Sequence, residues 1–170
     1  MVIEVDWAQA HVHARFATSD MYSRMFHFKI LHNILYLNKA LTHMQLVVSP
    51  LCSFCNITDE TVEHVFSECS VIQDIWNELQ FFLRPEIELG NLCKTSAYLG
   101  PPFGTDAIIC HVYLIFKIFV YKSRANRTCS FEHLKNKIKM IRDIEFNITF
   151  SDPKRRRKNM QTWISLAHKF

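Results

Sequence analysis

The chain has 170 residues, of which 49% are hydrophobic and 13% aromatic, and it contains 20 Lys and Arg, 16 Asp and Glu and six Cys. This composition is typical of a folded globular chain and excludes a low-complexity or intrinsically disordered protein. Three Gly and five Pro are too few for a turn-rich sandwich or a glycine-rich phosphate loop, and no run reaches the roughly 17–25 apolar residues of a membrane helix.

The charge is divided unevenly along the chain. Residues 1–116 contain six Lys and Arg against twelve Asp and Glu, whereas residues 117–170 contain fourteen against four. A basic C-terminal third of this kind favours a polyanionic partner, most simply nucleic acid. A solvated helical surface is the alternative that charge alone leaves open.

The first periodic segment spans residues 22–44. Its apolar residues recur at steps of three and four, which predicts one helix with a single buried stripe. Ser19 or Asp20 can cap its start, and Ser49-Pro50 ends the regular structure ahead of the cysteines. The stripe consists of Phe26, Ile30, Ile34, Leu37, Leu41 and Met44.

Two further helical patterns follow, separated by an irregular connection. The first runs from Glu60 to about Leu83, with Thr58 and Asp59 as candidate caps. Residues 84–106 contain proline and glycine at several positions and predict a long connection without regular structure. The next pattern, residues 106–124, is apolar nearly all round and is expected to form a central helix.

The last clear helix is amphipathic. Ser130 is expected to cap it, Leu134, Ile138, Ile141, Ile144 and Ile148 form its apolar side, and lysines and an arginine form the other. Asp152-Pro153 predicts the start of one more helix. Because no sustained strand alternation is visible, we expect a mostly α fold, a small helical domain with an embedded Cys3His zinc-binding motif.

That motif consists of Cys52, Cys55, His64 and Cys69, with the spacing C-x2-C-x8-H-x4-C. Zn2+ prefers four tetrahedral ligands, and three thiolates with one imidazole supply them. Four protein ligands leave no open position, so one structural zinc ion is expected rather than a catalytic one. The alternative is a set of buried free cysteines with a capping histidine.

The spacing between His64 and Cys69 restricts the local backbone. On one continuous α-helix these residues would point about 140° apart around the axis, and both could not reach one ion. We therefore predict a break near residues 67–69, with His64 on a short helix, Cys69 at the junction and Ser70 capping the next helix.

At this point the sequence resembles a known family. The runs MFHFKILHNIL (25–35), SPLCSFC (49–55) and ETVEHVF (60–66), with Cys69 and Trp76, resemble the zinc-binding segment that follows the polymerase in LINE-type (non-long-terminal-repeat) retrotransposon reverse transcriptases. In that family the region helps to hold template RNA or target DNA. The resemblance implies that the four metal ligands carry over onto the Cys3His motif and that a reverse transcriptase polymerase domain is a further partner.

The catalytic residues of such enzymes do not carry over. No adjacent aspartate pair occurs in the sequence, and no credible carboxylate-and-lysine set for a nuclease is visible. We therefore expect no enzymatic activity from this chain, and no small-molecule substrate. The expected organisation is an N-terminal extension (1–18), a zinc-binding domain (19–88), an irregular linker (89–105) and a basic helical C-terminal region (106–170).

The candidate nucleic-acid contacts are basic residues of the C-terminal region. The densest charge run stands at a predicted helix start, where positive charge is unfavourable, so phosphate contact or a nuclear import signal explains it better than local stability. The zinc-binding segment itself is acidic, with no Lys or Arg between residues 45 and 82. The candidates are Lys154, Arg155, Arg156, Arg157, Lys158, Lys135, Lys139 and Arg142.

Two function classes follow from these patterns. The first is a non-catalytic zinc-binding module that binds RNA or DNA through its basic flanking helices. The second is a zinc-stabilised helical module that binds proteins and makes no direct contact with nucleic acid. With no signal peptide or membrane segment visible, the expected location is intracellular, in the nucleus or the cytoplasm.

Overall fold

The structure, a computed structural model, describes residues 11–12, 14–15, 17–84, 86, 89–90, 98, 100, 106–148 and 163–166. This part of the chain is mainly helical, as the sequence predicts. Its α-helices are α1 (Met21–Leu31), α2 (Asn38–His43), α3 (Ser70–Leu83), α4 (Ala107–Ser123) and α5 (Phe131–Ile148). A π-helical turn (His64–Glu68) and two 3-10 turns (Arg124–Asn126 and Ile164–Leu166) accompany these helices.

Helix α1 is capped as predicted but ends early. The Asp20 carboxylate accepts hydrogen bonds from the backbone N–H groups of Tyr22 and Ser23. At the other end Asn33 adopts a left-handed conformation (φ 51°) and the N–H of Ile34 donates to the carbonyl of Lys29 at 3.0 Å. This is the Schellman type of helix end, which Asn tolerates better than most residues.

The predicted single helix over residues 22–44 is therefore wrong. The chain forms two helices, and Ile34 and Met44 of the expected buried stripe are about half exposed. Phe26 and Ile30 are buried on α1, whereas Leu37 is buried from the turn between α1 and α2. The apolar period continued across the break because Leu35 and Leu37, in the turn between the helices, also face the core, whereas α2 itself has no buried residue.

Helix α4 lies at the centre of the fold, as predicted. Most of its residues are buried, including Lys117 and His111. Its packing against α3 is aromatic: the Trp76 ring lies 4.5 Å from that of Tyr113 and 4.8 Å from that of Phe116, edge to face. Such pairs stabilise a core beyond the apolar area that they bury.

One hydrophobic core joins the two halves that the sequence separates at residues 89–105. Buried residues from the proposed zinc-binding domain, such as Phe26 and Ile72, belong to the same cluster as Leu134 and Ile138 of α5. At the start of α5 the Ser130 hydroxyl oxygen accepts from the backbone N–H of His133 at 3.4 Å, as expected of a cap. No helix among the described residues is long and apolar enough to cross a membrane.

The attachment of α5 to this core can be tested at Leu134, which is fully buried. We expect Leu134→Ala to lower the free energy of unfolding by about 2–5 kcal/mol, since the cavity adds to the lost burial. Urea unfolding followed by circular dichroism measures the change. Asn136→Ala, an exposed position on the same helix, should change stability by less than about 0.5 kcal/mol. Equal effects of the two substitutions would contradict the packing described.

Candidate metal centre

The first two candidate ligands lie on a tight loop. A short antiparallel bridge pairs Leu51 with Asp59, and the N–H of Cys52 donates to the carbonyl of Thr58 at 2.8 Å. Asn56 takes a left-handed conformation (φ 55°), so the chain reverses directly after Cys55. The C-x2-C element is thus presented by a tight turn, directly after the point where Ser49-Pro50 was expected to end regular structure.

The other two ligands are separated by the predicted break. His64 begins the π-helical turn, and the N–H of Cys69 donates to the carbonyl of His64 at 2.8 Å, five residues back. Cys69 itself is extended (ψ 122°) and occupies the capping position of α3. A wider turn of this kind, often found at functional sites, lets both side chains face one point.

The caps in this region differ from the prediction. Cys69 rather than Ser70 stands at the capping position of α3, and Ser70 is the first helical residue. Thr61 rather than Thr58 or Asp59 caps the turn that carries His64, since its hydroxyl accepts from the His64 N–H at 3.1 Å. Thr58 instead belongs to the C-x2-C loop, where its carbonyl accepts the hydrogen bond from the N–H of Cys52.

The structure brings the four candidate ligands together. One donor atom from each of Cys52, Cys55, His64 and Cys69 lies within 4.8 Å of every other. The Cys52 and Cys69 sulfurs are 3.9 Å apart, and the Cys55 sulfur is 3.3 Å from His64 Nε2. Cys52, His64 and Cys69 are buried.

These separations fit a tetrahedral zinc ion. Zn–S bonds of about 2.3 Å and Zn–N bonds of about 2.0–2.1 Å place two sulfurs about 3.8 Å apart and a sulfur and a nitrogen about 3.6 Å apart. The donor set therefore suits one structural zinc, with Nε2 as the histidine donor. When bound, the ion supplies a cross-link between the loop, the π-helical turn and α3, which stabilises the folded chain.

Backbone groups around the sulfurs prepare them for a cation. The Phe54 N–H lies 3.5 Å from the Cys52 sulfur, and the N–H groups of Val71 and Ile72 donate toward Cys69 at the start of α3. The hydrogen bond between the two thiols, followed by burial, raises the pKa of Cys52, and the same thiol–thiol bond lowers the pKa of Cys69. Because the ligand form is the thiolate, zinc binding displaces these protons and becomes weaker in acid.

A buried carboxylate positions the loop. The side chain of Glu60 is fully buried and accepts hydrogen bonds from the backbone N–H of Asn38 at 2.8 Å and of Ser53 at 2.7 Å. It also forms an ion pair with Arg124, whose guanidinium donates in addition to the carbonyl of Tyr36 at 3.1 Å. Glu60 thus ties the C-x2-C loop to the start of α2 and to the end of α4.

Sequence reasoning missed this role. The sequence patterns placed Glu60 only at the start of a predicted helix and counted Arg124 only among the basic residues of the C-terminal region. The Arg124 side chain is instead mostly buried in the ion pair, and Lys117 is buried in α4. The signal was indirect: Glu60 belongs to the run ETVEHVF that resembles the family, whereas Arg124 lies outside the runs that carry the resemblance.

The candidate nucleic-acid contacts differ in their surroundings. Lys139 is exposed on α5. Lys135 is partly exposed and pairs with Glu132 at 3.2 Å, and the Arg142 side chain is mostly buried and pairs with Asp143 at 2.8 Å. The remaining candidates, together with the helix predicted from Asp152-Pro153, lie outside the described residues; these candidates are Lys154, Arg155, Arg156, Arg157 and Lys158.

The comparison with protein families agrees with this geometry. Residues 4–76 match the family described as zinc-binding in reverse transcriptase. The predicted resemblance is thereby confirmed for this family. The matched segment contains the whole Cys3His cluster and ends at Trp76, whereas Arg124 lies beyond it. No curated protein and no solved structure matches the chain.

The zinc assignment predicts the result of removing one ligand. We expect Cys69→Ser to lower zinc affinity by more than about a hundredfold, since even outer-shell partners of a metal site contribute about 10–100-fold. The bound metal per chain, measured by elemental analysis, should fall from one to well below one. Cys129→Ser, a cysteine outside the cluster, should retain one zinc ion. A Cys69→Ser protein with undiminished zinc would exclude Cys69 as a ligand.

The buried ion pair predicts a pH-dependent effect. Burial alone would raise the pKa of Glu60, but the hydrogen bonds from Arg124 and from Ser53 and Asn38 outweigh it, so its pKa lies below the ordinary 4.5. A depressed pKa in the folded state contributes stability that is present above the unfolded-state pKa and is lost as the pH falls through the folded-state pKa.

We therefore expect Glu60→Gln to lower the free energy of unfolding by about 3 kcal/mol at pH 7, because Arg124 is left buried without its counter-charge. The difference from the unmodified protein should shrink as the pH drops below about 4.5. Urea unfolding across pH 3–7 measures this difference in the free energy of unfolding. Proton uptake by the zinc ligands occurs in both proteins and therefore cancels when the two are compared. Glu78→Gln, an exposed carboxylate on α3, is the control. A difference that is independent of pH would show that the charge of Glu60 has no such role.

Proposed function

We propose that this chain is a non-catalytic nucleic-acid-binding module of the kind that follows the polymerase in LINE-type retrotransposon reverse transcriptases. The observation that carries the proposal is the excess of ten positive charges in residues 117–170, in a chain whose zinc-binding segment matches a reverse transcriptase family. Zinc orders the fold, and the basic elements contact the phosphates.

The described cations suit this role to different degrees. Lys122, Arg127 and Lys139 are exposed, so a phosphate backbone can reach them without breaking the core. The ion pair of Lys135 with Glu132 involves a mostly exposed carboxylate, and such pairs contribute only about 0–1 kcal/mol. A phosphate can therefore replace Glu132 as the partner of Lys135 at little cost.

The zinc-binding segment of residues 45–82, called the zinc loop below, is acidic and therefore unsuited to phosphate contact. No Lys or Arg occurs between residues 45 and 82, and a polyanion is repelled by such a surface. We therefore assign the contacts to α5 and to the basic run of residues 154–158, which can also serve in nuclear import. A polymerase domain is the protein partner that the reverse transcriptase assignment implies.

The absence of catalysis is part of the proposal. The sequence has no adjacent aspartate pair, and the matching family describes zinc binding rather than polymerisation or cleavage. Three sulfurs and one imidazole also leave zinc no open position at which a substrate could bind. The role of zinc is then structural only.

The binding surface can be tested with a labelled single-stranded RNA and the DNA of the same sequence, titrated at several salt concentrations. Affinity should fall steeply with salt, because phosphate contacts release counterions. Combined substitution of Arg155, Arg156 and Arg157 by Gln should weaken binding and reduce the logarithmic salt slope by about two, at roughly 0.7 per contact.

Lys39→Gln, next to the acidic zinc loop through its pair with Asp59, is the matched control and should leave the slope unchanged. The proposal fails if neither polymer binds, or if the triple substitution has no more effect than the control. RNA and DNA of equal affinity would indicate backbone contact without discrimination of the sugar.

A protein-interaction module is the second candidate, and one observation favours it. The outward face of α1 is apolar and exposed at Met21, Tyr22 and Met25, and Ile34 and Tyr36 continue it beyond the helix. Contiguous exposed apolar surface of this kind marks contact with another protein. If nucleic acid does not bind, this face becomes the site to examine.

A further inference from the structure

A pocket of about 400 Å3 lies between the start of α1, the central helix α4 and the basic helix α5. Its size is in the range of small-molecule sites, about 300–1,000 Å3. Most of its surface is apolar, so it offers two walls on which a flat molecule can pack. The apolar lining consists of Ile115, Ile118, Met140, Ile141 and Ile144.

One group of polar side chains in the pocket combines acids with a histidine. His111 is buried, and its Nε2 lies 3.0 Å from Glu145 Oε1. Neither ring nitrogen finds a well-aligned hydrogen-bond partner among the described residues. Trp163 donates to the other oxygen of Glu145 at 2.6 Å and fixes that carboxylate. Asp20 lines the same pocket and is exposed; its carboxylate accepts three hydrogen bonds from Tyr22 and Ser23, which leaves one of about four acceptor positions.

The other polar group is a pair of lysines. Lys122 and Lys137 both line the pocket, and Lys122 lies over the ring of Tyr22 at 4.9 Å. Burial and the neighbouring charge of Lys122 lower the pKa of Lys137. Two cations beside each other destabilise their charged forms, and an anion between them would remove this cost.

We propose that the pocket binds one nucleotide, with the base between the apolar walls, its polar edge toward Asp20 and His111, and the phosphate at Lys122 and Lys137. This inference rests on the proposed function: the occupant is an unstacked nucleotide of the bound RNA or DNA. Single-stranded nucleic acid is commonly recognised through bases that leave the stack and enter such sites.

Other ligand classes match only part of the lining. An aliphatic acid would pair with the lysines but would place hydrocarbon against Asp20 and His111, which costs free energy because polar groups lose their hydration. Inorganic phosphate would leave the apolar walls unused. A nucleotide has a flat apolar face, hydrogen-bonding edges and a phosphate, and so uses all three parts of the pocket.

The test uses the full zinc-loaded chain and 5′-AMP as the probe, with calorimetry as the readout. Adenosine and inorganic phosphate are separate arms, and each should bind at least about tenfold more weakly, since each lacks one set of contacts. Ile144→Trp and Met140→Trp fill the pocket from positions that are 44% and 43% exposed, so the fold tolerates them. Both should reduce 5′-AMP affinity by more than tenfold.

Matched controls separate the pocket from general effects. Asn136→Trp places the same ring on an exposed position of α5 outside the pocket and should leave binding unchanged. Lys137→Gln should reduce 5′-AMP affinity by about tenfold, whereas Lys39→Gln should not. Zinc content and the melting temperature confirm that each variant is folded.

The outcomes distinguish this inference from the proposed function. If RNA binds with a steep salt dependence but 5′-AMP does not bind, or binds the two filled variants as well as the unmodified chain, the pocket assignment is overturned and the function stands. If 5′-AMP binds as expected and RNA does not, the pocket is a site for a free nucleotide, and both the nucleic-acid function and the assignment of a polymer nucleotide to the pocket fail. Phosphate binding as tight as that of 5′-AMP would reduce the site to the two lysines and overturn the inference.

Discussion

Four side chains from three backbone segments have to reach one point, and this constraint fixes the path of the chain from Pro50 to Ser70. The loop must reverse after Cys55, which it does through the left-handed Asn56. The π-helical turn must be wide enough for His64 and Cys69 to face one point. It is widened by the hydrogen bond from the N–H of Cys69 to the carbonyl of His64, five residues back. Zinc offsets the cost of both irregularities, because its bonds form only when these conformations are in place.

The zinc loop is not held by metal alone. An ionised carboxylate without partners is too costly to bury, yet Glu60 is fully buried because the N–H groups of Asn38 and Ser53 and the guanidinium of Arg124 surround it. The family match ends at residue 76, whereas Arg124 lies at the end of α4. The matched segment therefore takes part of its internal support from the region that follows it, and the two share a core.

Most of the fold could be predicted from the sequence because its signals were local. Metal-ligand spacing identified the cluster, the 140° argument required a break before Cys69, and Asp20 and Ser130 were readable as caps. The break after α1 was missed because the apolar period continued across it, although Asn33 is a residue that tolerates the left-handed helix end. Glu60 and Arg124 were misread because their pairing spans 64 residues, and charge patterns along the chain carry no information about such distant partners.

The burial of Arg124 and Lys117 changes how the charge of the C-terminal region should be read. Some of its cations are buried rather than exposed to solvent, so the formal excess overstates the charge that a ligand meets at α4. Within the described part of this region, Lys122 and Lys137 line a pocket beside α5 and Lys139 faces solvent from α5. A polyanion would thus be drawn to α5 and repelled by the acidic zinc loop. Because Glu60 and Arg124 fix the loop to the end of α4, zinc binding also holds in place the scaffold on which α5 packs.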